Sequence, residues 1–319
     1  MKSAVIGVGM IGNVHIRIMK ELGAELVAVC DVDKNKIASM AGVQVFTDYI
    51  KMLDQVKPDV VHICTPHHLH AEMIIAALKR DINVLCEKPL CIREEDIPKI
   101  LEAEENSKAQ LGVCHQNRYN SENVFLKEYL KDKKVVCGYG SMFWHRDAEY
   151  YSQGDWRGKW LTEGGGVLIN QALHTIDLLQ WFVGYPNQVS AELCNHSLKG
   201  VIETEDTATL FCSDGGNFTF FATNACDYTF PVNVVVQTET ELINVLSEKV
   251  VAGNTVYNFE KDKIVYGKSC YGEGHKSLIK DFYDCIETGR KFEIDGQEAA
   301  KVVKIILAAY KNAKSKLLD

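Results

Sequence analysis

Residues 2–31 read KSAVIGVGMIGNVHIRIMKELGAELVAVCD, and the order of residue types in this stretch decides the fold. An apolar, β-branched run meets three glycines, Gly7, Gly9 and Gly12, and passes into a segment, Ile11 to Leu22, whose apolar residues recur at helical spacing. A second apolar run follows and ends on Asp31. Strand, glycine turn, helix and strand in that order open a βαβ unit of a parallel sheet.

Each glycine has its own physical task. Gly7 suits the tight turn out of the strand, Gly9 leaves room for backbone amides to approach a pyrophosphate, and Gly12 lets the helix lie close on the strand. With Met10 and Ile11 they put the N-terminus of a helix, the end that favours negative charge, at that point. Asp31 falls nineteen positions beyond Gly12, where a carboxylate accepts hydrogen bonds from both adenosine ribose hydroxyls. The same charge repels a 2′-phosphate, and neither Val32 nor Asp33 supplies a guanidinium. The expected cofactor is NAD(H) rather than NADP(H); the plainer alternative is a glycine turn with a capping aspartate and no dinucleotide.

Further along, DVVHICT, NVLCEKP and QLGVCHQ repeat the apolar run, each separated from the last by a helix-length segment. Strands covered by helices on both faces read this way. An α/β Rossmann domain with a doubly wound parallel sheet is expected over residues 1–120. Beyond a helical stretch at Asn123 to Lys131, the segments TATLFCS, NFTFFAT and VNVVVQT alternate and are broken by turn residues, as antiparallel strands are. Helical patterns follow at Gly166 to Val183, Lys276 to Glu287 and Gln297 to Lys314. Residues 121–319 are thus expected to form an α+β domain. In NFTFFATNA, Phe218, Phe220 and Ala222 share one face and Thr219, Phe221 and Thr223 the other, so neither face is wholly polar. Helices on one side and a second subunit on the other would cover both, which predicts a homo-oligomer.

The composition sets outer bounds. A chain of 319 residues with 46% hydrophobic and 24% charged residues fits two globular domains. A net charge of -8, with no Lys/Arg cluster, argues against nucleic acid. Eleven cysteines without a CxxC pair read as reduced thiols, and no apolar run approaches the ~18 residues of a membrane span. A strand begins too early for a secretory leader, so the expected setting is cytoplasmic, with no membrane partner.

Ligands of doubly wound sheets lie beyond the carboxyl ends of the strands. Two such loops carry unusual chemistry. Thr65-Pro66-His67-His68-Leu69-His70 has three histidines without a clear carboxylate or cysteine partner, so it reads as a loop beside the nicotinamide ribose and phosphates, with His70 capping the next helix, and no metal is expected. Glu87-Lys88-Pro89 ends the strand NVLCE. A lysine leaving a buried strand beside a cofactor that becomes cationic has its neutral form favoured, which makes Lys88 a candidate acid, base or alcohol-polarising group.

These motifs, with HQNRYN at His115 to Asn120, DWRG at Asp155 to Gly158, GGGVLINQALHTID at Gly164 to Asp177 and the closing GHKSLIKDFYDCIETGR, resemble the glucose-fructose oxidoreductase, inositol dehydrogenase and rhizopine-catabolism (Gfo/Idh/MocA) family over essentially the whole chain. The resemblance implies a Rossmann domain followed by a large open, mostly antiparallel sheet that makes oligomer contacts in a homodimer or homotetramer. It implies NAD-dependent dehydrogenation or reduction at a secondary alcohol or ketone of a sugar, cyclitol or derivative. It also implies Lys88 and His174 as the catalytic pair, with Trp156 and Arg157 at the nicotinamide end. Thr65, Pro66, His67, His70, Glu87 and Lys88 would line the cofactor, and Asn117, Arg118, Asn170 and His174 the substrate.

Independently, Asn170, His174 and Asp177 lie at i, i+4 and i+7, a polar face on an otherwise apolar helix. Many relatives carry Asp where this chain has Asn170; an amide orients a hydroxyl but is no base, which leaves the proton to His174 or Lys88. Some nucleotide-sugar dehydrogenases of the family resemble this Asn-x-x-x-His arrangement, so a UDP-linked sugar enters the substrate range. Two rival readings remain: an NAD-dependent glycosidase that borrows and returns a hydride, and a cofactor-sensing regulatory protein with a decayed site, against which the presence of both Lys88 and His174 counts.

Overall fold

The structure, a computed structural model, describes residues 1–38, 40, 42–260 and 274–315. Its first sheet has six parallel strands: β1 (Lys2–Ile6), β2 (Glu25–Cys30), β3 (Gln44–Phe46), β4 (Val60–Ile63), β5 (Asn83–Cys86) and β6 (Leu111–Val113). They lie in the order β3-β2-β1-β4-β5-β6, the doubly wound order that reverses between β1 and β4. The helices are α1 (Met10–Glu21), α2 (Lys34–Ile37), α3 (Tyr49–Val56), α4 (His70–Leu78) and α5 (Asp96–Glu105). β4 is buried at every position and β1 at all but its first, which is why these strands read as continuous apolar runs. α1 buries Val14, His15, Ile16, Ile18 and Met19 against β1, β2 and β4.

The second sheet has nine strands, ordered β14-β13-β12-β11-β7-β10-β9-β8-β15. These are β7 (Val135–Phe143), β8 (Pro186–Cys194), β9 (Thr207–Gly215), β10 (Phe218–Thr223), β11 (Asn233–Thr238), β12 (Leu242–Leu246), β13 (Lys249–Ala252), β14 (Thr255–Asn258) and β15 (Ala313–Ser315). All neighbours are antiparallel except β7 with β10 and β8 with β15. α6 (Ser121–Tyr129), α7 (Ala148–Ser152) and α8 (Leu173–Val183) accompany it. α8 packs on β7, β10 and β11, and Phe218, Phe220 and Ala222 of β10 are buried while Thr219 and Phe221 stay half-buried.

The chain then makes α9 (Gly274–Thr288) and α10 (Gly296–Asn312). Two compact units result, Met1–Gln116 with Ile264–Ala300, and Asn117–Lys263 with Lys301–Asp319. A single division at residue 120 does not describe them: α9 belongs to the Rossmann unit because it supplies part of that unit's core. Phe282 lies against Gly112 of β6, and the Tyr283 hydroxyl is 3.2 Å from Ser3 Oγ of β1. The closing helix also stops sooner than its apolar period suggests. Ala313 to Ser315 leave it to pair in parallel with Ala191 to Leu193 of β8.

Candidate functional site

The turn after β1 is built by close backbone approach. Gly7 has φ +89°, and a Cβ there would stand 2.5 Å from the carbonyl oxygen of Cys64; a Cβ on Gly12 would stand 2.0 Å from that of Gly7. Alanine cannot replace either without moving backbone. At Gly9 the same test meets nothing within 4 Å, so the chain leaves open space in front of the α1 N-terminus, which has no side-chain cap. First-turn amides of an uncapped helix facing open space suit a pyrophosphate.

Asp31 stands just past the tip of β2, where its carboxylate accepts from Val8 N at 2.8 Å and Asp33 N at 2.9 Å. These bonds lock its orientation beside the glycine turn while each oxygen keeps further acceptor capacity for a ribose hydroxyl. Lys36 Nζ is 3.9 Å away, and Val32 is exposed. The donor set fits an adenosine ribose and a pyrophosphate.

The next two loops are tied together by His70. Sequence reasoning makes it the cap of the following helix; instead His70 is the first residue of α4, whose N-terminus has no side-chain cap. Its buried ring spans the loops, Nδ1 lying 2.7 Å from Pro89 O and Nε2 2.9 Å from Thr65 O. Burial lowers its pKa, though the two carbonyls oppose this. His67 is buried in a short 3-10 turn with its ring 5.9 Å from that of His70. Thr65 Oγ1 donates to Met73 Sδ, and half-buried Lys88 is followed by a cis bond to Pro89.

Glu87 is the centre of a network that sequence reasoning did not find. Its Oε1 lies 3.0 Å from His15 Nε2 and 3.4 Å from His275 Nε2, and its Oε2 accepts from Lys88 N at 3.3 Å. His15 Nδ1 meets His62 Nδ1 at 2.8 Å, and His62 Nε2 meets the Tyr283 hydroxyl at 2.8 Å. Burial disfavours the Glu87 carboxylate, yet hydrogen bonds from His15 and His275 hold it well below the usual carboxylate range. For His15 burial also works against charge, but Cys64 and Glu87 lift it to about 9. Burial and the charge of His15 keep His62 well below its ordinary value, hence neutral. The carboxylate that pairs with His15 thus also holds the backbone N–H of Lys88.

In the second unit, a wide π-type turn, Leu168–Ala172, leads into α8 and carries Asn170. Such turns recur at functional sites. Its entry is fixed by Glu205, which accepts from Gly166 N and Leu168 N, both at 3.0 Å, and from the Tyr310 hydroxyl at 2.9 Å. A Cβ on Gly166 would stand 1.9 Å from Glu205 O, and one on Gly165 2.0 Å from the Tyr310 hydroxyl, so neither position has room for a side chain. Burial pushes Glu205 up to about 7.

The polar face of α8 divides. Asn170 Nδ2 donates to Glu163, and its neighbour Gln171 donates to the Tyr150 hydroxyl at 3.1 Å. Asp177 is 1% exposed and takes both Nε (2.7 Å) and Nη2 (2.6 Å) of Arg118. Arg118, read from sequence as a substrate contact, is therefore held in a buried bidentate pair, its guanidinium 5.1 Å from the Trp181 ring centre. His174 is buried one helical turn beyond Asn170. Asn117 is half-buried at the start of this unit, and Trp156 and Arg157 stack on each other at 4.8 Å.

Comparison with known proteins adds the decisive observation. Residues 1–115 match the model for the oxidoreductase family with an NAD-binding Rossmann fold, and residues 134–242 match the GFO/IDH/MocA C-terminal domain. The chain belongs to the Gfo/Idh/MocA family. It is an NAD-dependent oxidoreductase built on that family's two folds. An inositol 2-dehydrogenase of Rubrobacter xylanophilus is 31% identical over 188 residues, 56% of this chain and 51% of that relative. One from Salmonella paratyphi B is 23% identical over 91% of this chain and 87% of its own length. Among solved structures, the WlbA dehydrogenase of Bordetella pertussis, in complex with NADH and UDP-GlcNAcA, superposes with a TM-score of 0.83 at 26% identity, over 98% of this chain and 96% of that one. No helix among the described residues is long and apolar enough to cross a membrane.

Proposed function

We propose that this Gfo/Idh/MocA protein interconverts a secondary alcohol and a ketone on a sugar, cyclitol or nucleotide-linked sugar, with NAD(H) held by the first unit. The observation that carries this reading is the open glycine cradle at Gly9 beside the fixed Asp31 carboxylate. The relatives named inositol 2-dehydrogenase and the WlbA structure with its UDP-sugar support the substrate range.

Bound NAD+ supplies the hydride acceptor. The chain's own residues handle the oxygen and its proton. His174 accepts the hydroxyl proton, and Lys88 polarises the oxygen as negative charge develops on it. The carboxylate of Glu87 receives the Lys88 backbone N–H, which holds the turn from which Lys88 emerges. Asn170, its amide fixed by Glu163, orients a substrate hydroxyl, and Asn117 supplies another polar contact. Thr65, Pro66 and His67 border the cofactor on the loop that His70 ties down.

A homodimer or homotetramer accompanies this reading. Phe211, Thr219, Tyr139 and Val235 lie in one cross-strand row of the second sheet, with Phe211 57% and Tyr139 42% exposed. A second copy covering that row removes large apolar side chains from water. Sedimentation at micromolar concentration checks it, and a monomer alone refutes it.

For the chemistry, His174→Ala and Lys88→Ala are each expected to lower kcat by about 100-fold or more while NADH affinity, measured by fluorescence, stays within a few-fold. Turnover unaffected by His174→Ala would remove it as the proton acceptor.

A further inference from the structure

We infer that Glu163 is a positioning residue for the reaction: its carboxylate fixes which end of the Asn170 amide is presented to substrate, so that position 170 accepts a hydrogen bond and selects a hydroxyl there. The inference rests on the dehydrogenase reading above and adds to it a residue that stands between the DWRG and GGGVLINQALHTID motifs. Glu163 is 1% exposed, and both of its oxygens are engaged: Oε2 accepts from Gly158 N and Oε1 from Asn170 Nδ2. Gly158 is a fixed anchor. It has φ +69°, a Cβ there would stand 2.3 Å from Ile202 Cγ2, and its carbonyl accepts from Glu203 N at 2.9 Å.

A backbone N–H and an amide NH2 only donate, so both oxygens of Glu163 act as acceptors, as those of a carboxylate do. The consequence falls on Asn170. An amide has a donor end and an acceptor end of nearly the same shape, and its neighbours decide which way it points. Turned over, Asn170 would set its oxygen against a buried carboxylate oxygen, two acceptors with no hydrogen between them. Glu163 therefore holds Nδ2 on its own side, and the Tyr150 hydroxyl, 3.4 Å away, also meets Nδ2. The planar amide then directs Oδ1 the other way.

The next residue shows the contrast. Gln171 places Nε2 on the Tyr150 hydroxyl at 3.1 Å and receives Asn224 Nδ2 on Oε1 at 3.1 Å, so both ends of that amide serve the protein. At Asn170 the bonds to Glu163 and Tyr150 both use the donor end. A carbonyl oxygen has two lone pairs, to which a substrate hydroxyl donates and an ether oxygen or a bare C–H does not. A site built to hydrogen-bond a hydroxyl rejects analogues that lack it. Asn170 stands in the wide turn one helical step before His174, so an amide turned the wrong way shifts the substrate against its proton acceptor.

The test exchanges the two groups in the full chain. Glu163→Gln, Asn170→Asp and the double variant are compared with wild type by thermal unfolding and by NADH formation from myo-inositol, D-glucose and UDP-glucose, one probe for each class in the proposed range. In Glu163→Gln the new amide keeps its oxygen on Gly158 N and turns its NH2 to Asn170, which reverses the Asn170 amide. We expect kcat to fall about ten-fold or more, with the KM for NAD+ unchanged. Asn170→Asp sets two carboxylates against each other, so kcat should fall as far at pH 8 and recover toward pH 5, as one of them takes a proton and becomes a donor. The double variant restores donor against acceptor with an acceptor facing substrate, and should return to within about three-fold of wild type without the acid recovery. Glu163→Gln with kcat within about two-fold of wild type, or a double variant no faster than the slower single one, overturns the inference. If wild type turns over none of the three probes, the dehydrogenase reading fails for those substrates, and unfolding alone judges the amide. Midpoints lowered by each single exchange and restored by the double keep its orientation; losses that merely add overturn it.

Discussion

Replacing Glu87 with Gln keeps the shape of the side chain and removes the charge that faces His15 and His275. In the folded chain His15 sits at about 9 against its ordinary 6.5, a shift equivalent to ~3 kcal/mol of proton linkage. Because the folded value is the higher one, this stabilisation is complete below pH 6.5 and disappears as pH rises through about 9. Glu87 has the opposite sign: its folded value is depressed, so its contribution is present above its ordinary 4.5 and fades as pH falls toward the folded value. The pair is strongest between those limits, near pH 6. Removing one partner of a buried pair costs about 3–5 kcal/mol, so Glu87→Gln should lose that much at pH 6. The loss should shrink at pH 9.5, above the wild-type His15 value of about 9, by the part of that ~3 kcal/mol which Glu87 rather than Cys64 supplies. Urea unfolding of both proteins at the two pH values reads this directly. A variant as stable as wild type at pH 6, or a difference that stays constant to pH 9.5, would refute the charged pair.

Asp31→Ala removes the acceptor of Val8 N and Asp33 N as well as the ribose contact, so NADH affinity should fall about ten-fold or more. Unchanged affinity by fluorescence titration would place the adenosine elsewhere. Asp177→Ala strands Arg118 in a buried site and should cost about 3–5 kcal/mol in urea unfolding; a cost under ~1 kcal/mol would mean that the pair is solvated in solution. His15, Glu87 and His275 bring three donor atoms within 4.8 Å of one another, a spacing that also suits a metal ion. If a proton balances the charge, as the raised His15 value indicates, exhaustive EDTA treatment leaves the unfolding midpoint unchanged, whereas a fall would put a metal there instead.

The Rossmann sheet was legible because burial on both faces makes β1, β4 and β5 continuous apolar runs, and because a turn such as Gly7 to Gly12 has few other uses. Asp31 followed from its place just beyond β2. What escaped depends on residues far apart in the chain. His275 and Tyr283 meet His15 and His62 only once α9 has returned to the first unit, although His275, Leu278, Ile279, Phe282 and Tyr283 already formed one buried helical face in the sequence. His15, lying between buried Val14 and Ile16, carried the same hint. The spacing of Asn170, His174 and Asp177 was read as a single polar set, but helical periodicity does not report partners. Arg118 claims Asp177, and Glu163 claims Asn170. Arg146 and Tyr150 lie in a stretch with no periodic pattern at all, so only the fold reveals that the Arg146 guanidinium stacks on the Tyr150 ring.

The most direct test of the account is absorbance at 340 nm on purified protein with NAD+ and a panel of inositols, free sugars, uronates and UDP-sugars. The account predicts stoichiometric NADH from at least one secondary alcohol of the panel, abolished by His174→Ala. Cleavage of a glycoside with no net NADH, or a protein that fails to bind NADH at all, would contradict it.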